Sequence, residues 1–215
     1  AIAGIGTHTL TIAGGAPLGG AVHGVMPDRI ELGTLACAAA ITDGELLLQE
    51  GRLDLLGAAA PLLAAAGVEL RAVAGGLRAR RSATGLAGVD VVTQPHPGFA
   101  TDLQAPAMAL LATADGASTI TETIFEQRFW HVDELRKMGA NIAVRHQTAV
   151  VRGVPRLRGA AITGADVRAA AALVIAALGA DGETVLDGLH HLDRGYDHMA
   201  EKLVACGADV RRSAR

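Results

Sequence analysis

The sequence predicts an α/β (α+β) fold in which three strand-helix-strand-helix-strand repeats bury their helices and carry their sheets on the outside. Three observations lead there. Of the 215 residues, 50% are hydrophobic but only 2% are aromatic. A core of this chain is therefore built from Ala, Val, Leu, Ile and Gly, whose small side chains let backbones approach closely. A set of landmarks recurs three times with a period near seventy residues. Finally, one helical stretch per repeat is apolar on nearly every side, which marks it as buried all round.

The first helix of each repeat begins at an Asp. Asp28, Asp102 and Asp166 are spaced 74 and 64 residues apart. The Ala-rich runs that follow are broken by Gly44, Gly116 and Gly182, spaced 72 and 66 apart, each opening an alternating segment that reads as a strand. Ser118-Thr-Ile-Thr-Glu-Thr-Ile shows the alternation plainly and puts one sheet face toward water. The second helices are more amphipathic, as in Val132-Asp-Glu-Leu-Arg-Lys-Met. They end at Gly67, Gly139 and Gly207, spaced 72 and 68 apart, where a left-handed residue after a helix is expected. Another strand should follow each of these glycines. Residues 1–26 differ: they are Gly-rich, alternate like a hairpin, and have no helix of their own. They read as the terminal strands of a preceding, mostly missing domain, with residues 27–215 as the three-repeat domain. The chain starts at Ala1, inside a strand pattern and without an initiator Met, so a fragment or processed product is expected.

Composition also excludes functions. Lys and Arg number 19 against 22 Asp and Glu, so no basic face for nucleic acid is indicated, and stacking on aromatics is improbable. No apolar run is long enough for a membrane span, and no signal peptide is evident. Cys37 and Cys206 read as small buried hydrophobes rather than a disulfide or zinc pair. No metal is expected: His190 and His191 would alternate faces on a strand and lack a third ligand.

Chemistry-bearing residues concentrate at the repeat landmarks. An Asp before a helix is either an N-cap or a functional carboxylate. Capping suits Asp28. Asp102 follows Gln94-Pro-His-Pro-Gly-Phe-Ala-Thr, a proline-held loop suited to a working carboxylate, and the two readings stand even. Arg168 lies in the first turn of a buried helix and needs an anion, either Asp166 or a ligand. The stretch from Phe125 to Val132 holds three of the five aromatics, which suggests a packed or substrate-facing turn. Asp193-Arg194-Gly-Tyr occupies the corresponding turn of repeat three.

Five motifs carry a resemblance: Pro27-Asp-Arg-Ile-Glu-Leu-Gly-Thr, Pro95-His-Pro-Gly-Phe-Ala-Thr-Asp-Leu-Gln, Thr121-Glu-Thr-Ile-Phe-Glu-Gln-Arg-Phe, Ala165-Asp-Val-Arg-Ala and His191-Leu-Asp-Arg-Gly-Tyr. In this order they resemble the C-terminal half of the enolpyruvyl transferases, and most closely the UDP-N-acetylglucosamine 1-carboxyvinyltransferases. The 3-phosphoshikimate branch shares the architecture, but the Thr-Glu-Thr-Ile-Phe-Glu stretch resembles the UDP-sugar branch.

The resemblance implies an inside-out α/β barrel of two domains, each built from three repeats. It implies a cytoplasmic enzyme of peptidoglycan synthesis that needs no cofactor. Its reaction transfers enolpyruvyl from phosphoenolpyruvate to the 3-hydroxyl of UDP-N-acetylglucosamine by addition and loss of phosphate. Asp102 is then the carboxylate at the sugar hydroxyl, Ile124 a nucleotide-sugar contact and Arg194 a phosphoenolpyruvate contact. Asp166, Arg168, Glu126 and Asp28 line the cleft. The family's Lys-Asn pair and its loop with a Cys general acid have no counterpart here, and the first strand of this domain is missing too. The expected chain is therefore an enzyme half, inactive without the N-terminal domain. A non-catalytic anion-binding or oligomerising module is the alternative. Ala100, Trp130 and Ala170 depart mildly from the usual motifs.

Overall fold

The computed structural model describes residues 1–15 and 17–213. Ala16, Ala214 and Arg215, which the boundaries 1–26 and 27–215 take in, lie outside the described residues. At the start, β1 (Ile2–Ala3) and β2 (Thr11–Ile12) pair antiparallel as a small exposed ribbon. Repeat one runs α1 (Arg29–Ile41), β3 (Glu45–Gln49), α2 (Leu53–Leu56), α3 (Ala59–Ala65), β4 (Val68–Val73) and β5 (Gly76–Arg81). Repeat two opens with β6 (Val91–Val92) and a 3₁₀ turn, Thr101–Leu103, that leads into α4 (Gln104–Leu111). It continues through β7 (Ala117–Thr121), α5 (His131–Lys137), β8 (Asn141–Arg145) and β9 (Thr148–Arg152). Repeat three holds β10 (Leu157–Arg158), β11 (Ala161–Thr163), α6 (Val167–Leu178), β12 (Ala180–Asp181), β13 (Val185–Asp187), α7 (Leu189–Asp193) and α8 (Met199–Ala205).

The centre of the molecule is the trio α1, α4 and α6, which pack on one another. All eight residues of α4 are buried, as are Ala169 to Leu173 of α6 and Ala36 to Ile41 of α1. Helices with no solvent face must meet neighbours on every side, and side chains the size of alanine permit that. Two close approaches show how little room remains. A Cβ on Gly33 of α1 would sit 2.8 Å from a Leu103 methyl, and one on Gly179, just past α6, would sit 2.7 Å from Ile41. Local signals agree with this packing. The Asp28 carboxylate accepts from the Ile30 and Glu31 amides to cap α1, and Asp166 caps α6 through Arg168 and Ala169. At the other end of α1, Arg81 donates to the carbonyls of Ala40 and Ile41, both at 2.7 Å.

The sheets lie outside this trio. In repeat two the order is β6-β7-β9-β8, with β6 parallel to β7 and the remaining pairs antiparallel. Repeat one has the order β3-β5-β4, and repeat three pairs β11 with β13 and β10 with β12, all parallel within repeat three. Burial alternates along β5, β7 and β9, so one face packs inward and the other meets water. The sheets remain separate among the described residues, and no closed barrel is formed.

The repeat landmarks are physical. Gly67, Gly139 and Gly207, each just past a second helix, have φ of +90°, +91° and +96°. Gly116 and Gly182 are left-handed too, whereas in repeat one Asp43 takes that role instead of Gly44. Three expectations change. The residues after Gly207 form no strand, because no partner strand lies beside them among the described residues. His190 and His191 sit on α7, not on a strand, with their rings 4.0 Å apart. Cys37 is buried, and burial pushes its thiol up to about 12, but Cys206 is exposed at the end of α8.

Ala172 is fully buried in α6, within the main hydrophobic core. Ala172→Leu should destabilise the chain by about 1–3 kcal/mol through overpacking, measured as a lower urea midpoint with an unchanged slope.

Candidate active site

The N-terminal ends of the three central helices converge, and side chains link them. Asp102 leads α4, yet its carboxylate makes no capping bond. It is instead held by two guanidiniums: Oδ1 lies 2.8 Å from Arg128 Nη2, and Oδ2 lies 3.0 Å from Arg168 Nη2. Asp102 therefore does not act as a side-chain cap. The anion beside Arg168 is Asp102, not Asp166, whose carboxylate caps α6. Behind Arg168 lies Tyr196, its ring centroid 5.6 Å from the guanidinium carbon and its hydroxyl 3.0 Å from Thr34 Oγ1 on α1. One connected set of contacts thus spans all three repeats.

The electrostatics of Asp102 follow from this arrangement. Partial burial pushes its carboxyl up, but the charges and hydrogen bonds of Arg168 and Arg128 outweigh that and leave it below the usual carboxylate range. A carboxylate so held stays ionised and accepts hydrogen bonds well, while its own proton affinity is low. Its side chain is 35% exposed, so a ligand can reach it. Arg168 Nη1 is buried with no partner.

The second component is the turn from Glu122 to Phe129, organised by a buried carboxylate. Glu122 Oε1 accepts from Thr93 Oγ1 and from the amides of Ile124 and Phe125, at 2.8, 2.8 and 3.1 Å. Glu122 Oε2 accepts from Thr101 Oγ1 at 2.9 Å, and Arg128 donates to that same hydroxyl at 2.8 Å. Gln127 has φ of +59°, which turns the chain back so that Arg128 faces Asp102. The guanidinium of Arg128 also lies 5.0 Å from the Phe125 ring centroid. The proline loop ahead of Asp102 contains a cis His96–Pro97 peptide.

The sequence-expected site residues divide. Asp102, Arg168 and Asp166 come together at the helix ends, and Ile124 is half-buried in the Glu122 turn. Glu126 is exposed on the same turn, Asp28 is an exposed cap, and Arg194 is exposed after α7. The aromatic cluster is split: Phe129 is buried, whereas Phe125 and Trp130 are exposed. Arg128, Glu122, Tyr196 and Thr34 were not singled out from sequence. Their only signal was membership in motifs rich in other candidates. Among the described residues no group of His, Cys, Asp and Glu could hold a metal ion, and no helix is long and apolar enough to cross a membrane.

Comparison with known proteins bears on this geometry. A family model described as EPSP synthase (3-phosphoshikimate 1-carboxyvinyltransferase) matches residues 1–203. A UDP-N-acetylglucosamine 1-carboxyvinyltransferase of Granulibacter bethesdensis is 55% identical over 211 residues, 98% of this chain and 50% of that protein. One of Gluconobacter oxydans is also 55% identical, with the same coverage. The chain spans about half the length of the curated relatives it matches. Among solved structures, the enolpyruvyl transferase NikO from Streptomyces tendae aligns with a TM-score of 0.78 at 32% identity, over 87% of this chain and 44% of that one. An EPSP synthase from Acinetobacter baumannii aligns at TM-score 0.65 and 18% identity, over 86% of this chain and 46% of that one, a likeness of fold.

Two measurements test the site's construction. Glu122→Ala leaves four donors without their acceptor. It should cost about 1–3 kcal/mol and speed hydrogen exchange at the Ile124 and Phe125 amides. His131, at the start of α5, is 2% exposed, and burial pushes its imidazole down to about 4. The folded chain therefore binds this proton less readily than the unfolded chain. Unfolding free energy should fall as pH drops from about 6.5 toward about 4, and a His131→Leu variant should show a shallower fall in the same titration.

Proposed function

The chain belongs to the EPSP synthase family, and from that premise we propose that it supplies half of a UDP-N-acetylglucosamine 1-carboxyvinyltransferase. The enzyme so formed moves the enolpyruvyl group of phosphoenolpyruvate onto the 3-hydroxyl of the UDP-sugar, in peptidoglycan synthesis and in the cytoplasm. The observation that carries this reading is Asp102, an accessible carboxylate bound by two arginines at the convergent helix N-termini. That arrangement suits a reaction between two anionic substrates. Arg128 and Arg168 offer cation to phosphate and carboxylate groups, with the positive helix ends behind them. Asp102 takes a hydrogen bond from the attacking hydroxyl and orients it. Its proton affinity rises when a substrate anion draws a guanidinium away, which brings it nearer to what a general base needs. The hydroxyl oxygen bonds to C2 of phosphoenolpyruvate while C3 takes a proton from an acid of the other half, and C3 then gives up a proton as phosphate leaves C2, which restores the double bond. Ile124 contacts the nucleotide sugar, Arg194 contacts phosphoenolpyruvate, and Asp166, Glu126 and Asp28 line the cleft. No cofactor is needed.

The second half of the machinery is proposed to come from a further domain of the same architecture, with residues 1–26 among its terminal strands and residues 27–215 as the three-repeat domain. Both domains would then be inside-out α/β barrels. Internal symmetry supports additional strands. Repeat two carries four strands, whereas among the described residues the equivalent of β6 is lacking beside β3, and the equivalents of β9 and β8 are lacking beside β13. A groove of about 900 Å³ runs between these two edges, lined by Ala39, Leu46, Val174, Leu186, Leu203 and Val210 among others. A non-catalytic anion-binding module would share the arginines but would not need Asp102 exposed between them.

The purified chain alone should turn over no measurable phosphoenolpyruvate with UDP-N-acetylglucosamine. Joined to the other half of a close relative, it should release phosphate only when the UDP-sugar is present, and Asp102→Asn should lower that rate at least ~10²-fold with folding intact. Activity of the isolated chain, or equal activity of the Asn variant, would refute the assignment. Release of phosphate with shikimate 3-phosphate as acceptor instead would place the chain in the other branch.

A further inference from the structure

Arg168 approaches Asp102 from a helix whose neighbours are almost all aliphatic, so its guanidinium needs a support that fixes its direction. Tyr196 lies in the turn between α7 and α8 and is 1% exposed. Three features hold it there. Its amide donates to Leu192 O at 2.9 Å. Gly195 lets the turn press against the start of α6, since a Cβ at that position would meet Val167 Cγ1 at 2.5 Å. The phenol oxygen shares a hydrogen bond with Thr34 Oγ1, itself fully buried on α1. The ring so fixed stands 5.6 Å from Arg168 Cζ, on which the aromatic face exerts a cation–π attraction. The outcome is a direct line of contacts, Thr34 to Tyr196 to Arg168 to Asp102.

We propose that Tyr196 is a positioning residue for this site: its ring, fixed by Thr34, holds the Arg168 guanidinium against Asp102. A hydroxyl of repeat one and a phenol of repeat three then set the charge environment of a carboxylate in repeat two. The consequence for catalysis rests on the transferase reading, whereas the geometric role does not. The charged groups facing Asp102 are Arg168 from α6 and Arg128 from the Glu122 turn. Loss of the ring leaves Arg128 in place and releases only Arg168, so the effect is partial and has a definite sign. A ring that merely filled the small cluster with Leu192, Met199 and Leu203 would leave Asp102 untouched when replaced.

The test is a carbon-13 NMR titration of the Asp-labelled 215-residue chain, with Asp102 assigned through Asp102→Asn. Tyr196→Leu should raise the Asp102 midpoint by about one pH unit, while Tyr196→Phe, which keeps the ring but loses the Thr34 hydrogen bond that fixes it, should raise it by a clearly smaller amount. An unchanged midpoint in folded Tyr196→Leu overturns the proposal. Should that variant fail to fold, the unsubstituted chain still decides: the Arg168 side-chain protons must appear upfield through the ring current, and unshifted resonances overturn the proposal equally. In the chain joined to a relative's other half, Tyr196→Leu should lower kcat roughly tenfold, with Tyr196→Phe restoring part of it. If the unsubstituted joined enzyme is inactive, the transferase reading fails while the titration still judges the positioning role.

Discussion

Burial of three helices on every side is the constraint on which the rest of this structure depends. A helix with no solvent face offers no room for large side chains at its contacts. α1, α4 and α6 meet this demand with alanine, glycine and a few branched residues, and Gly33 and Gly179 mark where even a methyl group would collide. The scarcity of aromatic residues follows from the same demand. The amphipathic helices and the sheets are pushed outward, which inverts the usual α/β layering.

That packing brings the helix N-termini to one place, and the site is built there. Anionic groups are favoured at such ends by the unpaired amides and the helix dipoles. Asp28 and Asp166 satisfy their own helices. Asp102 does not, because the 3₁₀ turn ahead of α4 presents its carboxylate outward to Arg128 and Arg168. The same carboxylate is therefore free of capping and held in its charged form by the two arginines, the condition the proposed transfer reaction requires of a group that must meet a substrate hydroxyl. Glu122 has the opposite role. It is wholly buried, accepts four hydrogen bonds, and shapes the turn that delivers Arg128.

Of the few aromatic residues, Phe99 and Phe129 join the hydrophobic core, while others stand beside charged groups. Phe129 anchors its turn inside, Phe125 lies under Arg128, and Tyr196 stands beside Arg168. In a core made of small aliphatic groups, a flat ring can direct a guanidinium where alanine cannot. The two arginines on Asp102 thus each have an aromatic neighbour.

The repeat, the buried character of its first helices, the glycine turns and the family motifs are all legible in the linear order of residues. These are local or periodic properties: helix burial shows in an unbroken apolar run, and a left-handed turn shows in a glycine at a recurring position. The sequence also placed Asp102 and Arg168 among the candidates, because a charged residue opening an apolar helix is conspicuous. That these two are partners, 66 residues apart in sequence, and that Asp166 is not the anion for Arg168 emerges from the packing of the repeats. That packing alone found Arg128, Tyr196 and Thr34, whose roles depend on distances between repeats rather than on spacing within one. It likewise denied a strand after Gly207, since alternation supplies a strand's pattern and a neighbouring edge must supply its hydrogen bonds.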